Sequence, residues 1–248
     1  MKNKKIKTAL IVFIIILTLV LFFNVAVYAA YTLAATDVSY TKPNGTQTSV
    51  KAALDEVYAK VPSHEIGDEV TVGGEQFYVL EWDNNCDTVN LISKYNLNTA
   101  GTAQQNAEDK TTACAFSSTN YWSSSFTSSP FNLNDFIGYK ATDAIGKAKS
   151  YGRSKGAVSS RLLSYEEANA LKTKASSNTK IDKMYRGIAY TANGPVYLIY
   201  WLGSAYDAKN VGHVVGANFG NVSFDTFNNV SRGYGVRPVI TILKSKIS

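Results

Sequence analysis

The stretch YLIYWLGSAYD (Tyr197–Asp207), continued by HVVGANFGNVSFDTFNN (His213–Asn229) and GYGVRPVITIL (Gly233–Leu243), decides the fold. It reads as short apolar strands at Tyr197–Leu202, Val211–Val215, Val222–Phe224 and Val236–Leu243, separated by loops dense in Gly, Asn, Asp and aromatic residues. Strands of this kind build a frame, and loops of this kind present a surface. Everything upstream then either places this segment outside the cell or completes its fold.

The chain of 248 residues is long enough for one substantial domain plus an appendage. Its apolar residues are concentrated at the start, where MKNKKIK precedes LIVFIIILTLVLFFNVAVYAA (Leu10–Ala30). A helix over this run is long enough for a hydrocarbon core of about 30 Å, and the leading lysines place the N-terminus in the cytoplasm. The expected division is a basic cytoplasmic tail (1–8), a transmembrane signal-anchor (9–33), a tether with a short amphipathic helix (34–62) and a globular domain (63–248). The alternative is a cleaved signal peptide, with exits at Val27-Tyr28-Ala29 or Leu33-Ala34-Ala35, and a secreted product. A signal h-region is usually about 7–15 residues, so the run favours a retained anchor.

The formal charge of +6 shrinks accordingly: without Lys2, Lys4, Lys5 and Lys7 the 25 basic residues become 21 against 19 acidic ones. The basic character of the whole chain is therefore no sign of a nucleic-acid partner, which would want a basic stripe within the folded part.

In the tether, Pro43-Asn44-Gly45 signals a turn, and Ser49 caps a helix whose Val50, Ala53, Leu54, Val57 and Tyr58 share one face before Pro62. That face needs a partner, either the following domain or a second copy, so Ser49–Lys60 is the candidate for self-association. Glu69–Val72, Gln76–Trp82 and Thr88–Ser93 read as an antiparallel meander joined at Gly73-Gly74 and Asp83-Asn84-Asn85. Thr119-Asn120-Tyr121-Trp122 is an aromatic island expected to pack under a polar loop. A helical region over Asn134–Lys155 is interrupted by Gly138, Gly146 and Gly152. Arg161-Leu162-Leu163 predicts a strand, Ser164-Tyr165-Glu166-Glu167 a capping box opening a helix to about Lys172, and Ser176–Lys183 a surface loop.

Chemistry-bearing motifs are sparse. Cys86 and Cys114 form a candidate disulfide, worth roughly 3–4 kcal/mol outside the cytoplasm, or else two independent small hydrophobes. His64 and His213 are too few for a zinc triad, and no HExxH or GxSxG spacing occurs. His213 is expected at the surface or half-buried, held by hydrogen bonds rather than acting as a base. Asp207 and Asp225 stand isolated, short of the six to eight oxygens calcium takes. Arg237 is expected to pair with an acid and hold the last strand. No metal, cofactor or catalytic set is expected.

IGDEVTVGGEQFYVLEW (Ile66–Trp82), VNLISKYNL (Val89–Leu97), RLLSYEEA (Arg161–Ala168), YWLGSA (Tyr200–Ala205) and GYGVRPVI (Gly233–Ile240) together resemble an uncharacterised extracytoplasmic domain common in gut Firmicutes. That domain is related to the formylglycine-generating-enzyme (sulfatase-modifying-factor) branch of the C-type lectin fold. The leader and DVSYTKPNGTQTSVKAALDEVY (Asp37–Tyr58) are similar to its membrane-anchored members. The resemblance implies an α+β domain with antiparallel sheets and two or three helices, whose terminal strands carry a ligand-facing surface. In one related group, the variable proteins of diversity-generating retroelements, the C-terminal segment is the binding face. Carried onto this chain, that face comprises Tyr206, Asp207, Lys209, Asn210, His213, Asn218, Phe219, Asn221, Asp225, Phe227 and Asn228.

The chain also departs from its relatives. Asn193-Gly194-Pro195 lacks the adjacent acid of calcium-dependent lectins, and neither cysteine lies in the C-terminal part where the formylglycine-generating enzymes need a pair. The expected function is therefore a cell-surface adhesin or receptor-like module, anchored in the membrane through its N-terminal helix and binding an extracellular protein or glycan. The alternatives are a structural or assembly subunit of an envelope or pilus-like structure, and an envelope enzyme with a pocket among Trp82, Trp122 and Trp201.

Overall fold

A computed structural model describes residues 39–41, 43–59, 63–106, 112–126, 129–217, 220–231 and 234–248. The expected tail and anchor lie outside these, and among the described residues no helix is long and apolar enough to cross a membrane. The chain divides into two compact units, 1–62 and 63–248.

In the first unit, β1 (Ser39–Thr41) pairs antiparallel with β2 (Gln47–Ser49) around the turn read from Pro43-Asn44-Gly45. The Asn44 side-chain oxygen accepts from Thr46 N at 3.1 Å, and Gly45 takes the positive φ of 83° that closes the turn. Ser49 Oγ then accepts from Ala52 N at 3.0 Å, capping α1 (Val50–Ala59) as its sequence predicts. The side chains of Leu54, Val57 and Tyr58, on which self-association was argued, lie outside the described residues.

The second unit is α+β with antiparallel sheets. The meander β3 (Glu69–Val72), β4 (Glu75–Trp82) and β5 (Thr88–Ser93) is extended by β13 (Pro238–Leu243) and then β7 (Ser159–Leu162), in the order β3-β4-β5-β13-β7. A second sheet runs β12 (Asn221–Thr226), β11 (Asn210–Val215), β10 (Ile199–Ala205), β6 (Phe131–Asn132). A small hairpin pairs β8 (Ile188–Thr191) with β9 (Gly194–Tyr197). The helices are α2 (Ala144–Ser154), α3 (Tyr165–Ala175) and α4 (Thr179–Arg186).

Period-two alternation divides the apolar strands between two cores. Phe77, Val79, Trp201, Ile240 and Ile242 enter one, with Phe116, Trp122 and Ile145. Tyr78, Leu80, Tyr200, Leu202 and Val239 enter the other, with Met184 and Tyr185 of α4. Burial on both faces explains why YWL and VITIL read as continuous apolar runs.

The capping box is present at α3: Ser164 Oγ accepts from Glu167 N at 3.2 Å, and Glu167 Oε2 accepts from Ser164 N at 2.9 Å. The expected loop at Ser176–Lys183 is instead largely α4, opened by Asn178 Oδ1, which accepts from Lys180 N and Ile181 N, and ended by Gly187 at φ 60°. The helix expected from Asn134 starts only at Ala144, because Gly138 takes a φ of 111° that a helix does not allow. Gly146 and Gly152, read as helix weakeners, lie inside α2. A Cβ on Gly146 would overlap the Lys140 carbonyl, and one on Gly152 would overlap Ser160 of β7, so both serve close packing.

One expectation about a single residue is corrected, and one of the two alternatives for the cysteines is seen. Arg237 is fully buried, but it meets backbone carbonyls and a ring rather than an acid. Its Nε donates to Ser93 O at 2.7 Å, its Nη1 donates to Tyr185 O at 3.3 Å, and its guanidinium lies 5.0 Å from the Tyr200 ring centre. Cys86 and Cys114 are free rather than bridged. Cys86 sits exposed after β4, its Sγ donating to Asp83 Oδ2 at 3.2 Å, whereas Cys114 is buried against the second sheet, its carbonyl accepting from Trp201 Nε1 at 2.8 Å. Burial pushes the Cys114 thiol pKa up.

Candidate functional site

The antiparallel register of β11 and β12 sets Val211 opposite Asp225, His213 opposite Ser223 and Val215 opposite Asn221. All six therefore point to one face of the sheet, while Val214 turns to the second core and Val222 packs against it. The same face continues on β10, where Trp201 is opposite His213 and Ile199 opposite Val215. Trp201 is covered by the first core, and a cleft of about 550 Å³ opens over β11 and β12.

Its wall is Tyr234, delivered by the segment before β13. Gly235 N donates to Ile199 O and Trp201 N donates to Gly235 O, both at 2.9 Å, which fixes this segment along β10. A Cβ on Gly235 would overlap the Asn96 amide, so glycine is required for that approach. The Tyr234 ring packs at 4.5 Å from Trp201 and at 4.2 Å from His213, tilted 36° to the imidazole.

Asp225 ties this arrangement together. Its Oδ2 accepts from Tyr234 OH and from Asn229 Nδ2, each at 2.8 Å, and its Oδ1 accepts from Thr226 N at 2.7 Å. Burial alone would raise the carboxyl pKa; the bonds from Tyr234, Thr226 and Asn229 and the positive charge of a protonated His213 outweigh it, so the group is held below the ordinary range. Asn221 is steadied at the cleft margin by Lys172 Nζ of α3, which donates to Asn221 Oδ1 at 2.8 Å.

The cleft thus sets an aromatic and aliphatic side (Tyr234, His213, Ile199, Val215) against a polar strip of Asn221, Ser223 and Asp225. Such a surface can hold a ligand with an apolar face and hydrogen-bonding edges. Among the described residues no group of three His, Cys, Asp or Glu could hold a metal ion.

Of the residues chosen from sequence, the structure brings together His213, Asn221 and Asp225. His213 is only 3% exposed, which corrects the expected surface or half-buried placement; its ring is shielded by Tyr234 and Trp201. Tyr206, Asp207, Lys209 and Asn210 form the β10–β11 turn. Asp207 Oδ1 accepts from Lys209 N at 2.7 Å and Asn210 N at 2.8 Å, and its Oδ2 accepts from Asn210 Nδ2 at 2.7 Å. Burial would raise this carboxyl too, and the bonds of its own turn pull it down.

Tyr206 is 53% exposed and packs 5.0 Å from Phe224, which stacks at 5.5 Å on Tyr165 of α3. Phe227 is structural: it packs against the first core, 5.6 Å from Trp122. Asn228 beside it is exposed, and Asn218 and Phe219 lie outside the described residues. Ser223 and Tyr234 were missed. Ser223 was legible from the alternation Asn221, Ser223, Asp225, whereas Tyr234 was absorbed into a frame reading of GYGVRPVI.

The three tryptophans are packed into the fold. Trp122 and Trp201 are fully buried and each packs edge-on against Phe116, at 5.7 and 5.9 Å, while Trp82 lies under Lys244 at 4.5 Å. No family model, curated protein or solved structure matches the chain.

Proposed function

We propose that this protein is a membrane-anchored cell-surface binding module of C-type-lectin-like fold, which holds an extracellular glycan in the β11–β12 cleft. The observation that carries the reading is a cleft whose half-buried Ile199, Val215 and Phe224, backed by the edges of Tyr234 and His213, face Asn221, Ser223 and Asp225. A sugar ring has an apolar face that packs on such a surface and hydroxyls that exchange hydrogen bonds with Asn, Ser and Asp. Wall and strip come from the terminal strands, the part of the fold that the resemblance makes ligand-facing. Placement at the cell surface rests on the lysine-led apolar leader.

The test is a glycan and protein array probed with the full-length chain in a non-ionic detergent, beside Ser223→Arg, which fills the cleft from an exposed strand position. A glycan hit lost in the variant, with melting unchanged, is the expected result. Exclusively protein hits would move the ligand class, and hits indifferent to Ser223→Arg would end the assignment to this cleft.

A further inference from the structure

Charge is unevenly distributed along the globular unit. Between Asn134 and Tyr165 the chain carries Lys140, Lys147, Lys149, Arg153, Lys155 and Arg161, against Asp135 and the buried Asp143. Near the opposite edge of the five-stranded sheet, cations are matched by carboxylates: Lys94 and Lys183 meet Glu69 at 2.7 and 2.6 Å, and Lys180 meets Asp68 at 2.8 Å. At the β7 edge Lys155 is matched as well, by Glu75 at 3.2 Å, but the cations over the cleft are arranged differently. Here α2 and β7 enclose a cleft of about 330 Å³ bordered by Lys149, Arg153, Arg161 and Asp135.

Most neutral polar groups around this cleft are already committed. Ser160 Oγ donates to Ala148 O at 2.7 Å, Ser159 Oγ bonds Thr241 Oγ1 at 2.8 Å, and the Asn134 amide brackets both backbone groups of Leu162. Arg161 is clamped by Glu167 through two bonds of 2.6 Å, so that pair cancels in charge. Lys149 and Arg153 are arranged differently. They lie one helical turn apart on the same side of α2, Lys149 Nζ over the neutral Tyr139 ring at 4.4 Å and Arg153 exposed. An ammonium and a guanidinium fork lining one cleft are suited to a doubly charged, multi-oxygen anion. A single carboxylate would satisfy only one of them.

We propose that the α2–β7 cleft is a phosphate-binding site, separate from the β11–β12 cleft, in which Lys149 and Arg153 hold the phosphate group of a small ester or of a lipid headgroup. The position of Asp135 on the rim disfavours extended polyanions and leaves room for a ligand bearing a donor beside its phosphate.

Calorimetry on the full-length chain in non-ionic detergent tests this, with inorganic phosphate, pyrophosphate, glycerol phosphate and acetate as probes. The phosphates should bind saturably and more weakly as salt rises. Arg153→Ala should weaken them about tenfold, the scale of one lost hydrogen bond to a charged group. The double variant Lys149→Ala/Arg153→Ala should abolish binding, while Lys174→Ala, on the exposed end of α3, should leave it intact; melting curves confirm that each variant folds. Phosphatidylcholine and phosphatidylglycerol presented in mixed micelles of the same detergent distinguish the source. Binding of phosphatidylglycerol that is lost in the double variant assigns a headgroup, and binding of glycerol phosphate alone assigns a soluble ester. Absence of phosphate binding at low salt, binding undiminished in the double variant, or acetate binding as tight as phosphate would each overturn the proposal.

Discussion

The β10–β11 turn and the β11–β12 strip are alike in composition and adjacent in sequence, and each contains a partly buried aspartate with a depressed pKa. They differ in where the hydrogen bonds go. Asp207 spends its oxygens on Lys209 and Asn210, within its own turn, whereas Asp225 reaches Tyr234 in a segment beyond the next loop and Asn229 within that loop. The first is a loop that satisfies itself; the second uses the same chemistry to hold an aromatic wall over a cleft. A polar, aromatic-rich loop is therefore not a site by composition alone.

The sharpest break of this comparison is Asp225→Ala, which strips the acceptor from Tyr234 and Asn229 together. It should cost about 2–3 kcal/mol in urea unfolding, given about 1.5–3 kcal/mol per hydrogen bond to a charged group and partial replacement by water, and it should also remove ligand binding. Asp207→Ala should cost about 1 kcal/mol, the scale of a lost local cap, and leave binding unchanged. Equal costs, with binding lost in both, would erase the distinction.

Tyr234→Phe sharpens the comparison further. It keeps the stacking on His213 and loses one hydrogen bond, so a loss of about 1 kcal/mol is expected, with weaker binding. Acid should act on both regions. Because both native carboxyl pKa values are depressed, their stabilisation is complete above the unfolded value of about 3.9 and is lost as pH falls from there through the lower native values. The double variant Asp207→Asn/Asp225→Asn should accordingly show a shallower acid limb in a plot of urea midpoint against pH. The smallest effect belongs to Cys86→Ser, expected within about 0.5 kcal/mol as an exposed surface change. In the native wild type, a thiol reagent should titrate Cys86 alone, with Cys114 reacting only after unfolding.

Much of the frame was legible because its signals are local. The Gly73-Gly74 turn, the Ser164–Glu167 box and the Ser49 cap each satisfy backbone groups within a few residues. What escaped depends on distant partners. α4 is polar overall, and only Ile181, Met184 and Tyr185 turn inward, too thin a stripe to outweigh the Ser, Asn and Lys around it. Arg237 was read correctly as structural but given the wrong partner, since nothing nearby in sequence points to Ser93 or Tyr185. His213 and Asp225 could be nominated from residue type. Tyr234 could not, because its position follows from Gly235 lying along β10. Phe227 was nominated for the same aromatic character that places it against Trp122.

The position of β13 also has a kinetic meaning. The strand that follows all the others of this sheet in the chain sits inside it, pairing Ile92 with Val239 and Arg161 with the same residue on its other side. Until it arrives, β5 and β7 each carry an open edge, and the carbonyls of Ser93 and Tyr185 wait for the Arg237 guanidinium that must shed its water to reach them. Closure of this sheet therefore rests on pairings between segments far apart in sequence, which places it among the slow steps of folding rather than the early local ones.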